Sequence, residues 1–111
     1  MAIRVGVVFS GCGVFDGSEI HEAVSILIAL DRRAAKIICM APNVPQAATM
    51  NHLTRQPEAQ SRRVLDEAAR IARGNIRDIA TVNANELDAL VFPGGFGAVK
   101  NLCTFAADGP N

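Results

Sequence analysis

Two glycine-rich segments hold the residues whose types and spacing could do chemistry. In Pro93-Gly94-Gly95-Phe96-Gly97 a proline, which lacks an N–H and fixes the direction of the chain, precedes two glycines whose amides no side chain obstructs. Paired backbone N–H groups at a strand end can hold a developing oxyanion; the plainer reading is a turn before a helix. The other segment, Ser10-Gly11-Cys12-Gly13-Val14-Phe15-Asp16-Gly17, could bring backbone against a phosphate. Gly11 and Gly13 match the start of a G-x-G-x-x-G fingerprint, but the next glycine, Gly17, falls one residue late. Cys39-Met40-Ala41-Pro42 offers no acidic residue for a ribose hydroxyl, and Glu19 and Glu22 would repel a pyrophosphate, so a nucleotide-binding domain is the least favoured reading.

Glu22 is the acidic residue singled out. It is either a solvated glutamate at its own helix N-terminus or a carboxyl group held over the sheet end, where partial burial would let it share a proton with a nucleophile. His21 lies about 100° around the helix from it. His21 and His52 have no partners at ligand spacing and are read as ordinary polar residues, so no metal site is expected. Cys12, Cys39 and Cys103 form neither a disulfide framework nor a zinc spacing and are read as free thiols. Cys39 falls mid-strand, and Cys103 at a helix start beyond the second loop. Cys12, in the first loop, is a candidate substrate contact; the helix start would lower its pKa and the nearby glutamates would oppose that.

Strands and helices must position these loops. Apolar runs predict buried strands at Ile3–Phe9, Ala35–Met40 and Asp88–Phe92, with a short extended piece at Ile76–Ile79. Asp16 and Glu19 have the spacing of a capping box, and a helix follows with Ile20, Val24, Leu27 and Leu30 on one side. Ile26 and Ile28 fall outside that stripe, so the helix is expected to pack against something besides its own sheet. Val44 to Pro57 reads as a long, weakly ordered surface connection. Helical spacing returns from about Ser61, through Val64, Leu65, Ala68, Ala69, Ile71 and Ala72, with Gly74 as its cap. Asn83 to Leu87 suits a helical turn, and Ala98 to Leu102 starts a last helix. The alternation predicts an α/β fold, a parallel sheet with helices on both faces and its ligand site outside the carboxyl ends of the strands.

Composition narrows the partners. The 111 residues are 50% hydrophobic and 20% charged, with 11 basic against 11 acidic residues. That length suits one small domain. Balanced charge without a basic run predicts no nucleic acid or membrane partner. A start without the charged and small-residue pattern of a secretory signal leads to the expectation of a cytoplasmic protein.

The run from Ser10 to Glu22, the stretch Asn51-His52-Leu53-Thr54 and the run from Pro93 to Leu102 together resemble one family. It is the ElbB glyoxalase family, also known as the enhancing-lycopene or isoprenoid-biosynthesis protein family, in the ThiJ/PfpI class I glutamine amidotransferase-like superfamily. The resemblance covers the whole chain. It implies a flavodoxin-like fold and a cysteine-based site in which Glu22 hydrogen-bonds the nucleophile and shuttles protons, while Gly94 and Gly95 supply oxyanion-hole amides. It also implies a glyoxalase-like conversion of small 2-oxoaldehydes to hydroxy acids, with no cofactor. Members are roughly twice this length, beyond the typical size of a small domain. The expectation is therefore one truncated domain over residues 1–111, lacking the later strand and the elbow cysteine and inactive alone. A homodimer is expected. The rival reading is a non-catalytic, dimerising interaction protein of the same fold, with the apolar first helix as its face.

Overall fold

The computed structural model describes residues 2–110, and its centre is a parallel sheet ordered β5-β2-β1-β6. The strands are β1 (Arg4–Val8), β2 (Lys36–Ala41), β5 (Arg77–Asp78) and β6 (Ala89–Val91). Val7 lies opposite Cys39 on one side and Val91 on the other, so β1 is flanked on both sides and its apolar run needs no polar alternation. This is the expected α/β, flavodoxin-like architecture.

Helices α1 (Ile20–Arg32) and α2 (Val64–Ala72) pack on the sheet face that carries Val5, Val7, Phe9 and Ala41. Ala23 of α1 and Ala68 of α2 are wholly buried there, because a methyl side chain lets the helix backbone approach the strands closely. The stripe read from the sequence is rotated from the observed one. Ile26, Leu27 and Leu30 pack on the core, while Ile20, Val24 and Ile28 are exposed. A helix that is apolar around most of its circumference has no polar face to set its phase; the small residue set it. On the opposite sheet face Val8 and Met40 are buried, and the Met40 side chain reaches over Gly6 beside Leu87 and Leu90.

Two local expectations are corrected. Asp16 does not cap α1: Glu19 does, its carboxylate accepting from the N–H groups of His21 (3.3 Å) and Glu22 (2.7 Å). Asp16 is drawn away to the hairpin described next. The stretch from Val44 to Pro57 is ordered, because it contains an antiparallel pair, β3 (Thr49–Asn51) and β4 (Gln56–Glu58). Its base is tied to the start of α2 by Gln46 N–H to Arg62 C=O (2.8 Å) and Val64 N–H to Val44 C=O (2.9 Å). At the end of α2 Arg73 (φ 56°) and Gly74 (φ 82°) are both left-handed, and Gly74, the expected cap, donates to the Ala69 carbonyl. Two short turns, Ile79–Thr81 and Ala84–Glu86, lead into β6, and α3 (Gly97–Lys100) and α4 (Phe105–Asp108) follow it.

Candidate functional site

Both glycine loops leave the carboxyl end of the sheet, the first from β1 and the second from β6. The first is stitched shut. Gly13 N–H donates to Ser18 C=O (2.8 Å) and Gly17 N–H to Gly13 C=O (2.7 Å). Buried Ser18 turns its hydroxyl back to accept the Ser10 N–H at 2.9 Å. Buried Asp16 accepts the Met50 N–H at 2.8 Å and so fastens the loop to the β3–β4 hairpin. His52 Nε2 accepts the Phe15 N–H at 3.2 Å, which leaves the ring proton on Nδ1, 3.0 Å from the Met50 carbonyl. Asn101 spans the loop, donating to Ser10 C=O (2.8 Å) and Asp16 C=O (2.9 Å) and accepting the Ala47 N–H (2.8 Å). Lys100 Nζ caps the Phe15 carbonyl at 2.9 Å.

His52 is therefore no ordinary surface polar residue, and with Asp16, Asn101 and the two serines it forms a positioning frame. Only long-range folding brings these residues together, and the Asn51–Thr54 block within the family resemblance was the one sequence signal for it. The amides of Ser10, Gly13, Phe15 and Gly17 are committed inside the protein, which removes them from any phosphate cradle.

The second loop rests on that frame. Glu19 N–H donates to Gly94 C=O (2.7 Å), Phe96 N–H to Val14 C=O (2.8 Å) and Gly97 N–H to Gly17 C=O (2.9 Å). Gly95 has φ 114°, and a Cβ there would strike Gly17 O and Glu19 N. A Cβ on Gly97 would strike the Gly17 Cα, and one on Gly17 the Cys12 backbone N, so neither position has room for a side chain. In a trans peptide the N–H points opposite to the carbonyl. The Gly94 carbonyl is fixed on Glu19, so the Gly95 N–H is aimed away from the helix start. Among the described residues neither the Gly94 nor the Gly95 N–H donates to a protein acceptor.

Glu22, one turn into α1, lays its carboxylate against Gly94; a Cβ on Gly94 would lie 2.6 Å from Oε1. The structure thus brings Glu22, Gly94 and Gly95 together. Of the two readings of Glu22, a solvated glutamate or a partly buried carboxyl, the second is not met, since the side chain is exposed. Next to it, the His21 ring and the Glu22 backbone N–H hold the Glu19 carboxyl below its ordinary range, so the cap stays anionic. Beyond Gly95 an apolar recess of about 480 Å³ is lined by Val14, Phe96, Val99 and Phe105.

Neither Cys12 nor Cys39 is an activated thiol of this site. Burial, reinforced by the Glu67 charge, pushes the Cys12 thiol up despite the opposing Arg70. Burial raises Cys39 as well, and exposed Cys103 points back at the Ala98 carbonyl from 3.6 Å. Among the described residues no His, Cys, Asp and Glu side chains gather as a metal ion would require.

No family model matches the chain. Relatives do. The chain is 57% identical over 109 residues to the human "Glutamine amidotransferase-like class 1 domain-containing protein 3, mitochondrial", matching 97% of this chain and 41% of that protein. It is 55% identical to the rat "ES1 protein homolog, mitochondrial" and 42% identical to the zebrafish (Danio rerio) "ES1 protein, mitochondrial", covering 40% and 41% of them. Among solved structures it superposes with a TM-score of 0.92 and 41% identity on an isoprenoid biosynthesis protein with amidotransferase-like domain from Ehrlichia chaffeensis, over 97% of this chain and 50% of that one. The chain thus spans about two-fifths of the curated relatives it matches. These names overturn the cytoplasmic expectation, since all three curated relatives are mitochondrial by name. Composition could not have revealed this, because an organelle address is read by receptors and leaves no mark on a folded domain. The resemblance drawn from the loop motifs stands: the chain is a homologue of the glutamine amidotransferase-like class 1 domain proteins and matches half of an isoprenoid-biosynthesis relative.

Proposed function

We propose that residues 1–111 supply the acid and oxyanion half of a cysteine-dependent, glyoxalase-like site for small 2-oxoaldehydes. The observation that carries this reading is the pair of unpartnered N–H groups at Gly94 and Gly95 beside the Glu22 carboxylate. In the reaction a thiolate adds to the aldehyde carbon, giving a hemithioacetal. A proton then moves from that carbon to the neighbouring one through an enediolate, and water cleaves the resulting thioester to release the hydroxy acid and return the thiol. The two amides would hold the oxyanion, Glu22 would carry the proton, and Cys12 would serve as a neutral substrate contact. No cofactor enters. The nucleophile lies outside these residues, so the chain alone is expected to be inactive. The names of the relatives extend the reading to a mitochondrial setting and a link to isoprenoid biosynthesis.

The test is methylglyoxal turnover by this chain and by a version completed to the length of its relatives. The completed protein should be active and lose on the order of 100-fold or more with Glu22→Gln. Glu22-dependent turnover by the 111-residue form would overturn the half-site reading.

One observation favours a second role, self-association. Ile20, Val24 and Ile28 recur at helical spacing and are 43%, 40% and 50% exposed, a continuous apolar stripe. If α1 pairs two copies, Ile28→Asp yields monomers by light scattering while the fold is kept. A dimer that persists rules the stripe out.

A further inference from the structure

Gly95, whose N–H has no protein acceptor among the described residues, stands at the rim of a hollow of about 480 Å³. Two other hollows, of about 420 and 490 Å³, lie at the amino ends of β1 and β2, one beside Arg4 and Lys36 and the other beside Ala2 and Arg33. Ligands of parallel sheets bind outside the opposite, carboxyl ends of the strands, where the Gly95 hollow is. A space of this size, apolar except for a few convergent donors, has the usual form of a small-molecule site.

Apart from Gly95 its wall is built from Val14 in the first loop, Phe96 and Val99 around the start of α3, and Phe105 on α4, none of them charged. Hydrogen bonds fix that wall without a ligand. Phe96 N–H donates to Val14 C=O (2.8 Å), Val99 N–H to Phe96 C=O (3.2 Å), and the Cys103 thiol, just before α4, to Ala98 C=O (3.6 Å). Lys100 Nζ, held by the Phe15 carbonyl, lies 5.6 Å from the centre of the Phe96 ring and favours one orientation of it. Phe96 and Phe105 still leave 52% and 51% of their surface exposed, so large aromatic surface stands bare beside the free amide.

We infer that this hollow is a side-chain pocket that selects 2-oxoaldehydes bearing an aromatic or bulky apolar group over methylglyoxal, with Phe96, Val99 and Phe105 as specificity-determining residues. The inference rests on the glyoxalase-like reading of the site given above. In a 2-oxoaldehyde the variable group sits on the ketone carbon, next to the aldehyde carbon that the thiolate attacks. With the oxyanion on the Gly94 and Gly95 amides, that group enters the space that begins at Gly95. A methyl group leaves most of 480 Å³ to water, whereas a phenyl ring packs on Phe96 and Phe105 and displaces it. The reaction balances as before: the aldehyde carbon is oxidised to the carboxylate, the ketone carbon is reduced to the alcohol and one water is consumed, so no outside oxidant or reductant enters.

The experiment has two arms. In the first, which needs no turnover, this chain is titrated with 2-hydroxyacetophenone and with hydroxyacetone, neutral analogues that lack the adjacent dicarbonyl that modifies arginine. Nuclear magnetic resonance should show the Gly95 amide and the Val14 and Val99 methyl signals moving, half-saturated at about tenfold lower concentration of the aromatic ketone. Val99→Phe, which fills the hollow, and Phe105→Ala, which removes an exposed wall and spares the fold, should each abolish that advantage. In the second arm the protein completed to the length of its relatives should favour phenylglyoxal over methylglyoxal by at least about tenfold in kcat/KM, and the ratio should fall towards one in both variants. Equal binding of the two ketones, shifts confined to other residues, or a ratio at or below one overturns the pocket. A completed protein that turns over neither aldehyde overturns the glyoxalase-like reading instead, and the titration then decides the pocket on its own.

Discussion

In the Ser10–Gly17 loop the amides of Gly13, Phe15 and Gly17 are spent on Ser18, His52 and Gly13, whereas in the Pro93–Gly97 loop those of Gly94 and Gly95 have no protein acceptor among the described residues. The loops share their glycines and their place at the sheet end. The first spends its hydrogen bonds on rigidity, through Asp16, His52 and Asn101. The second uses its carbonyl and its outer amides, at Gly94, Phe96 and Gly97, to lean on the first, and leaves the central N–H groups outward. Glycine content alone therefore does not identify a working loop, and neither do free donors, since the Gly11, Cys12, Val14 and Asp16 N–H groups also lack a protein acceptor among the described residues; what distinguishes the second loop is the Glu22 carboxylate laid against its free amides.

If that contrast is right, changes in the first loop cost stability and changes in the second cost chemistry. The largest loss is expected from Gly17→Ala, whose Cβ would meet the Cys12 backbone N and the Gly11 Cα, neither of which can move aside. Urea unfolding should show about 3 kcal/mol of destabilisation. Asp16→Ala follows at about 2 kcal/mol, because a buried acceptor is removed from the Met50 N–H. Amide exchange should show Met50 and the hairpin opening first. A third change separates the faces of α1: Leu27→Asp should unfold the protein, while Ile28→Asp should not, by circular dichroism.

Gly94→Ala is the informative opposite. Its Cβ meets only the free end of exposed Glu22, so stability should change by less than about 0.5 kcal/mol. Turnover by the assembled protein should nonetheless fall, because the carboxylate is pushed from its place. If Gly94→Ala destabilises as much as Gly17→Ala, the division between the loops fails.

The smallest effect concerns acid. Arg4, donating to Asp88 through its side chain and its backbone N–H, lowers that carboxyl from 3.8 to about 2. A carboxyl depressed on folding contributes stability above its unfolded pKa and loses it as pH falls through the folded value. The wild type should therefore lose a small increment between about pH 4 and pH 2 that Asp88→Asn lacks, as read from thermal midpoints.

Much of this was legible in the sequence. The strands β1, β2 and β6 announce themselves as apolar runs after Arg4, Lys36 and Asp88, and the glycine loops mark the ends of β1 and β6. The phase of α1 was not legible, because apolar residues cover most of its circumference and only contact with the sheet makes Ala23 the buried position. The β3–β4 hairpin was hidden for the opposite reason. Gln56-Pro57-Glu58 has no strand pattern, and what anchors the hairpin is Asp16, 34 residues before Met50. Glu22, Gly94 and Gly95 could be named from the family resemblance. The residues Ser18, His52 and Asn101 lie in the motif blocks of that resemblance, but their assembly into a frame was not legible, since the partners lie far apart in the chain.

The register of β1 has a consequence for how the chain comes together. Its pairing with β2 closes over a short stretch, but its pairing with β6 joins residues 84 apart, as Arg4 and Asp88 are. Long closures carry a larger entropic cost and slow folding. During synthesis β1 emerges before β2 and β6 and keeps one side bare until β6 arrives, so an early strand of this sheet is sealed late.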